Sequence, residues 1–134
     1  MSTVRWGILS TARHGEKMML PAFQQARDTE LAAVASRDGE RARAFAQQHG
    51  IPTSYDDYEG LLNDQNVDAI YIPLPNSLHK EWAIKAAQAG KHVLCEKPIA
   101  LNTAEAEEMV EAFRQAGLIL AETVQWRHHP QAHA

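Results

Sequence analysis

One cysteine leaves no internal disulfide to form, and Cys95 sits inside an apolar stretch as a small core residue would. No apolar run approaches the roughly 20 residues that cross a bilayer, and no basic-then-apolar leader opens the chain. A reducing cytoplasm is therefore the expected location. Excess positive charge is absent too: 13 basic against 17 acidic residues give a net charge of −4. Neither nucleic acid nor a membrane surface is an expected partner of such a field. Low-complexity segments and internal repeats are also missing. What remains is a 134-residue chain, 45% hydrophobic and 22% charged. As one domain it can bury roughly two-thirds of its unfolded surface.

Strand and helix patterns alternate along it. Val4–Ser10, Glu30–Ser36, Asp68–Ile72, His92–Glu96 and Leu118–Thr123 read as short apolar strands. Lys17–Ala26 is helical, with Met19, Ala22, Phe23 and Ala26 on one face. Asp38–His49 is helical and stops at Gly50, a left-handed cap. Asp57–Asn63 is a short helix, for which Asp56 and Glu59 have capping-box spacing. Ser77–Ala89 turns Trp82, Ala83 and Ala86 inward and stops at Gly90. Asn102 with Glu105 opens a helix that buries Ala106, Met109, Val110 and Phe113 and closes at Gly117. Strands apolar on both faces, separated by helices, predict a doubly wound α/β fold: a Rossmann-like parallel sheet with helices on both faces.

Glycine is scarce where a dinucleotide fingerprint wants it. In Gly7-Ile-Leu-Ser-Thr-Ala-Arg-His-Gly15 only Gly7 matches the G-x-G-x-x-G spacing, with Leu9 and Ala12 in the other places. The motif alone leaves an ordinary strand-to-helix turn open, although Ser10, Thr11 and Ala12 are small enough for a pyrophosphate to approach. At the end of the second strand an NAD site carries an acid that binds the ribose hydroxyl. Here stand Ser36 and Arg37, with Arg41 one turn on, a set suited to a 2′-phosphate. NADP is thus expected over NAD, while Asp38 keeps a plain solvated helix start open as the alternative. Further on, Ala89-Gly-Lys-His-Val-Leu-Cys-Glu-Lys-Pro98 reads as a helix stop, a buried strand and a charged exit. Ligands of open α/β sheets bind beyond the carboxyl ends of the strands. Glu96 and Lys97 placed there suit an oxidoreductase better than a core, and Lys97–Pro98 is a candidate cis peptide.

These pieces together resemble the N-terminal domain of the Gfo/Idh/MocA oxidoreductases. The resemblance rests on Trp6–Ala12, Ala35–Asp38, Pro73-Leu-Pro-Asn-Ser-Leu-His79, Gly90–Pro98 and Trp126-Arg-His-His-Pro130. It is strongest toward the branch of NADP-dependent xylose dehydrogenase, dimeric dihydrodiol dehydrogenase and anhydrofructose reductase. The resemblance implies that Lys97 is catalytic, bonding the reacting hydroxyl or carbonyl and helping to move its proton. It implies a cofactor-binding first turn from Gly7, Leu9, Ser10, Thr11, Ala12 and Arg13, with Ser36, Arg37 and Arg41 on the 2′-phosphate. Leu74 and Pro75 would lie on the adenosine side, Asn76 and His79 along the cleft, and Glu96 against the nicotinamide ribose. Arg127 would reach the nicotinamide from the segment leading onward.

In that family a second α/β domain follows and holds the sugar. Residues 1–123 are accordingly expected to form the dinucleotide-binding domain and 124–134 the start of a substrate domain. The implied activity is hydride transfer between nicotinamide and a sugar or diol, with turnover requiring the second domain. The alternative is a module that binds dinucleotide, or self-associates, and catalyses nothing. A homo-oligomer is expected through Val124, Trp126 and the preceding strand edge. His128, His129 and His133 lack a carboxylate or thiolate at ligand spacing, so no metal site is expected.

Overall fold

Segments such as Leu31-Ala-Ala-Val-Ala35 and Ala69-Ile-Tyr-Ile72 offer no polar face, so they must be covered on both sides. The computed structural model, which describes residues 2–13 and 15–123, shows how. Its strands are β1 Val4–Leu9, β2 Thr29–Ala35, β3 Thr53–Tyr55, β4 Ala69–Ile72, β5 His92–Glu96 and β6 Leu120–Thr123. They pair in parallel in the order β3-β2-β1-β4-β5-β6. The helices are α1 Leu20–Gln25, α2 Gly39–His49, α3 Tyr58–Leu62, α4 His79–Gln88 and α5 Thr103–Ala116.

Side-chain alternation along the strands feeds two cores. Leu9, Ala33, Ala35, Ile70, Ile72, Val93 and Cys95 face one way, against Leu61 of α3, Trp82 and Ala86 of α4, and Met109 and Phe113 of α5. Ile8, Val34 and Tyr71 face the other way, against Leu20 and Phe23 of α1 and Phe45 and Ala46 of α2. Burying one such large side chain contributes about 1.5–3 kcal/mol. This is the doubly wound arrangement that the alternating pattern predicts.

Where the details differ, the causes are local. The helix expected from Lys17 starts as a wide, π-type turn at Gly15–Met19 and becomes α-helical only at Leu20. Pro21 has no N–H to give to the turn before it, which breaks the regular ladder there. Its buried residues are Leu20 and Phe23, whereas Ala22 and Ala26, expected inside, are exposed. Val110 of α5 is likewise 57% exposed; the buried stripe there is Met109 and Phe113. Strand β3 is not among the expected elements, because Thr-Ser-Tyr is short and polar. It forms because β2 offers a free edge, pairing Ala33 with Thr53 and Ala35 with Tyr55.

At α2 and α5 the helix ends follow their sequence signals. Asp38 caps α2 by accepting from Glu40 N–H and Arg41 N–H, and Gly50 closes it at φ +69°. Helix α3 is capped by Asp57, which accepts from Gly60 N–H, in place of the expected Asp56–Glu59 box. Asn102 caps α5 through Glu105 N–H at 2.9 Å, while the Glu105 carboxylate accepts from Leu101 N–H. Replacing Asn102 by Ala is expected to cost about 1 kcal/mol, measurable as a lower urea midpoint with an unchanged m-value.

Candidate functional site: the carboxyl edge of the sheet

Register determines what gathers at this edge. Leu9 pairs with Ala35, so β1 and β2 end level, and the residues beyond them, Ser10 and Ser36, emerge side by side. Ile72 pairs with Cys95, so Pro73 and Glu96 emerge together in the same way. The order reverses between β1 and β4, which opens a crevice above the sheet at that point.

Beyond β1 and β2 lies a cavity of about 420 Å³ lined by Ser10, Thr11, Ala12, Ser36, Arg37, Asp38, Arg41 and Tyr58. All of these except Asp38 and Tyr58 are expected from the sequence to hold a dinucleotide. The two serines are prepared alike: Ser10 Oγ accepts from Ala12 N–H at 3.1 Å, and Ser36 Oγ accepts from Asp38 N–H at 3.2 Å. Each hydroxyl hydrogen is thereby left to donate elsewhere. Both arginines are exposed at the rim. Asp38, the acid that argues for a plain helix start, has its carboxylate turned to the backbone as the cap of α2. Ser10 holds φ at +134°, a conformation L residues rarely adopt, which sharpens the turn under the cavity.

Gly7 and Leu9 lie beneath this surface and not on it. A Cβ at Gly7 would come within 2.5 Å of Leu61 Cδ2, so its lack of a side chain lets α3 pack onto β1. Leu9 is fully buried in the core. Of the fingerprint positions, therefore, only the Ser10–Ala12 turn lines the cavity. Arg13 is exposed and outside the lining.

A second cavity of about 250 Å³, above β4 and β5, is lined by Pro73, Leu74, Glu96 and Lys97. Leu74, expected on the adenosine side, lines this cavity together with Lys97. Lys97 is exposed, and the Lys97–Pro98 peptide is cis. Glu96 is buried, accepting from the Tyr71 hydroxyl at 2.6 Å and from Thr123 Oγ1 at 2.7 Å. Burial, and then that bond to Glu96, push the Tyr71 hydroxyl upward. The loop after Lys97 is pinned from two further elements. Ile99 N–H donates to Glu122 Oε2 at 2.8 Å, from β6. The His79 ring sits between Leu74 O, 2.7 Å from Nε2, and Pro98 O, 3.0 Å from Nδ1. His79 is fully buried, so it ties the two loops together from below and offers no surface to the cleft.

Pro75 and Asn76 are exposed at the start of the short 3₁₀ turn that leads into α4 and line neither cavity. Arg127 and the tail residues Val124, Trp126, His128, His129 and His133 fall outside the described residues. Tyr58, Tyr71, Glu122 and Thr123 join the site without any local motif to mark them, because their roles depend on which strands become neighbours. Cys95 is fully buried, and its thiol is pushed up to about 12 by burial and then by Glu96.

Comparison with known proteins fits this geometry. The model of an oxidoreductase family with an NAD-binding Rossmann fold, GFO_IDH_MocA, matches residues 4–124. The chain belongs to the Gfo/Idh/MocA oxidoreductase family. It is 49% identical over 125 residues to an NADP⁺-dependent D-xylose 1-dehydrogenase of Haloferax volcanii, covering 93% of this chain and 38% of that protein. An uncharacterised oxidoreductase of Rhizobium meliloti is 47% identical over 131 residues, covering 98% of this chain and 39% of its own length. Among solved structures, KijD10, a 3-ketoreductase from Actinomadura kijaniata in complex with NADP and TDP-benzene, superposes with a TM-score of 0.95 at 39% identity. That match covers 98% of this chain and 40% of KijD10. This Gfo/Idh/MocA chain thus spans about two-fifths of the length of these relatives.

The strained turn of this Rossmann domain separates two variants. Ser10→Ala keeps the strain and loses the Oγ bond, whereas Ser10→Gly loses the bond and relieves the strain. The glycine variant is expected to be the more stable of the two by about 1 kcal/mol, read from paired urea melts.

Proposed function

We propose that these residues bind a nicotinamide dinucleotide carrying a 2′-phosphate, as the cofactor-holding half of an NADP-dependent oxidoreductase that acts on a sugar or diol. One observation carries the reading: Ser36, Arg37 and Arg41 share a single 420 Å³ cavity with the Ser10–Ala12 turn. That set offers hydroxyl donors and two guanidinium groups where an anion would sit, and its one acid is already engaged by α2. The NADP dependence of the xylose dehydrogenase relative and the NADP in the KijD10 structure support the same cofactor.

When bound, the cofactor supplies the hydride chemistry. The chain supplies position and a proton. Lys97, at the second cavity, is assigned to the substrate oxygen, where it hydrogen-bonds the hydroxyl or carbonyl and exchanges the proton that must accompany hydride transfer. The exit loop that bears it is held by His79 and Glu122, which fixes where the lysine's backbone leaves the sheet. Because the chain spans about 39% of its relatives' length, turnover is assigned to the whole protein and dinucleotide binding to these 134 residues. Cytoplasmic residence is the setting we assign, supported by a lone cysteine that is buried. Self-association is assigned to the β6 side of the sheet, where Ile119 is 66% exposed.

Isothermal titration calorimetry with NADPH and NADH tests the reading. NADPH is expected to bind more tightly. Arg37→Ala and Arg41→Ala are each expected to weaken NADPH by about tenfold, the weight of one charge-assisted contact, and to leave NADH unchanged. Equal affinities for the two dinucleotides in the unaltered chain would remove the assigned role of the arginines.

A further inference from the structure

Tyr58 reaches the cavity of about 420 Å³ from a different element than the serines and arginines do. It is the first residue of α3, which packs against β1 and β2 and is capped by Asp57. Its ring is set in the core, edge-on to Trp82, with centroids 5.0 Å apart and an interplanar angle of 86°. Only 7% of the residue is exposed. Among the described residues the Tyr58 hydroxyl makes no hydrogen bond, yet Trp6 Nε1 is the only side-chain nitrogen or oxygen there that is both enclosed and without a partner. The Tyr58 hydroxyl therefore opens onto accessible space, and the cavity is the space that this residue lines. Buried phenols ordinarily find a protein partner, so one kept free at a cavity wall is available to a ligand.

The rest of the lining decides what that ligand group is. Ser10 Oγ and Ser36 Oγ each accept a backbone N–H, which leaves their hydrogens to donate. Arg37 and Arg41 add donors and positive charge from the exposed rim. The Asp38 carboxylate accepts from Glu40 N–H and Arg41 N–H. Such a lining takes an anion, and a phenol O–H adds one more donor on its buried side. We propose that Tyr58 is a specificity-determining residue for the dinucleotide, its hydroxyl donating to the 2′-phosphate alongside the arginines. The proposal rests on the dinucleotide reading above and names a further contact within it. Packing against Trp82 holds the ring before any ligand arrives, so little side-chain freedom is lost on binding. A hydrogen bond to a charged phosphate is roughly twice as strong as one to a neutral ribose hydroxyl. Tyr58 thereby separates the phosphorylated ribose from the plain one.

Tyr58→Phe keeps the ring against Trp82 and deletes only the hydroxyl. In the 134-residue chain, calorimetry is expected to show NADPH bound about tenfold more weakly, as for loss of a hydrogen bond to a charged group. NADH, which lacks the 2′-phosphate, is expected to change by less than about twofold. A folded variant that binds NADPH as the unaltered chain does overturns the proposal. An equal loss for both dinucleotides overturns it too, because a loosened cavity wall would give that result. Where Tyr58→Phe does not fold, the Tyr58 ¹³Cζ resonance of the unaltered chain decides. It is expected to move on adding NADPH and far less on adding NADH; equal movement overturns the contact. An unaltered chain that binds neither dinucleotide defeats the dinucleotide reading, and the contact falls with it. A preference for NADPH that Arg37→Ala abolishes and Tyr58→Phe leaves intact defeats the Tyr58 contact alone.

Discussion

Parallel pairing sends every strand of this sheet out at the same edge, and the ladder register decides which residues meet there. Leu9 opposite Ala35 and Ile72 opposite Cys95 bring four exits together in two adjoining pairs. A shift of one residue in either ladder would turn Ser36 or Glu96 to the other face of the sheet. The cavities, the engaged cap at Asp38 and the loop bearing Lys97 all follow from those two alignments. The register is itself enforced by burial, because Ile70, Tyr71 and Ile72 have no polar face to present to water.

Polar side chains inside the sheet then set what the edge can hold. Lys91 is buried and donates from Nζ to Asp64 O and Val67 O, both at 2.6 Å, closing the loop that leads into β4. His79 serves the loop after β4 and the loop after β5 at once. Each of these groups is partnered by backbone carbonyls from distant segments. Removing Lys91 would take one donor each from Asp64 O and Val67 O. Through His79 the loop that bears the exposed Lys97 is tied to the loop after β4.

Much of this is legible from the chain. Alternating apolar runs and helix stops at Gly50 and Gly117 point to the doubly wound architecture, since each signal is local and strong. The Ser36–Arg37–Arg41 group and the Glu96–Lys97 exit can be read because charged and hydroxyl side chains at a strand exit seldom serve the core. Thr53–Tyr55 cannot be read, because a strand of three polar residues exists only by virtue of its neighbour. Spacing alone puts Val110 inside, yet α5 meets the sheet over too narrow a stripe to cover it. Tyr71 and Thr123 carry no signal as site residues, because their meaning arises from pairing between strands far apart in sequence. His79 stands out in the sequence, but its work is done beneath the surface.

Cys95 has a practical consequence. Its sulfur is enclosed in the core and its thiol holds its proton well above neutral pH, so it competes poorly for maleimides and similar reagents. A cysteine introduced at an exposed position such as Gln48 would then be the sole reactive handle on the folded molecule. Fluorophores or spin labels could be attached there one per molecule, with no need to engineer away the native sulfur first.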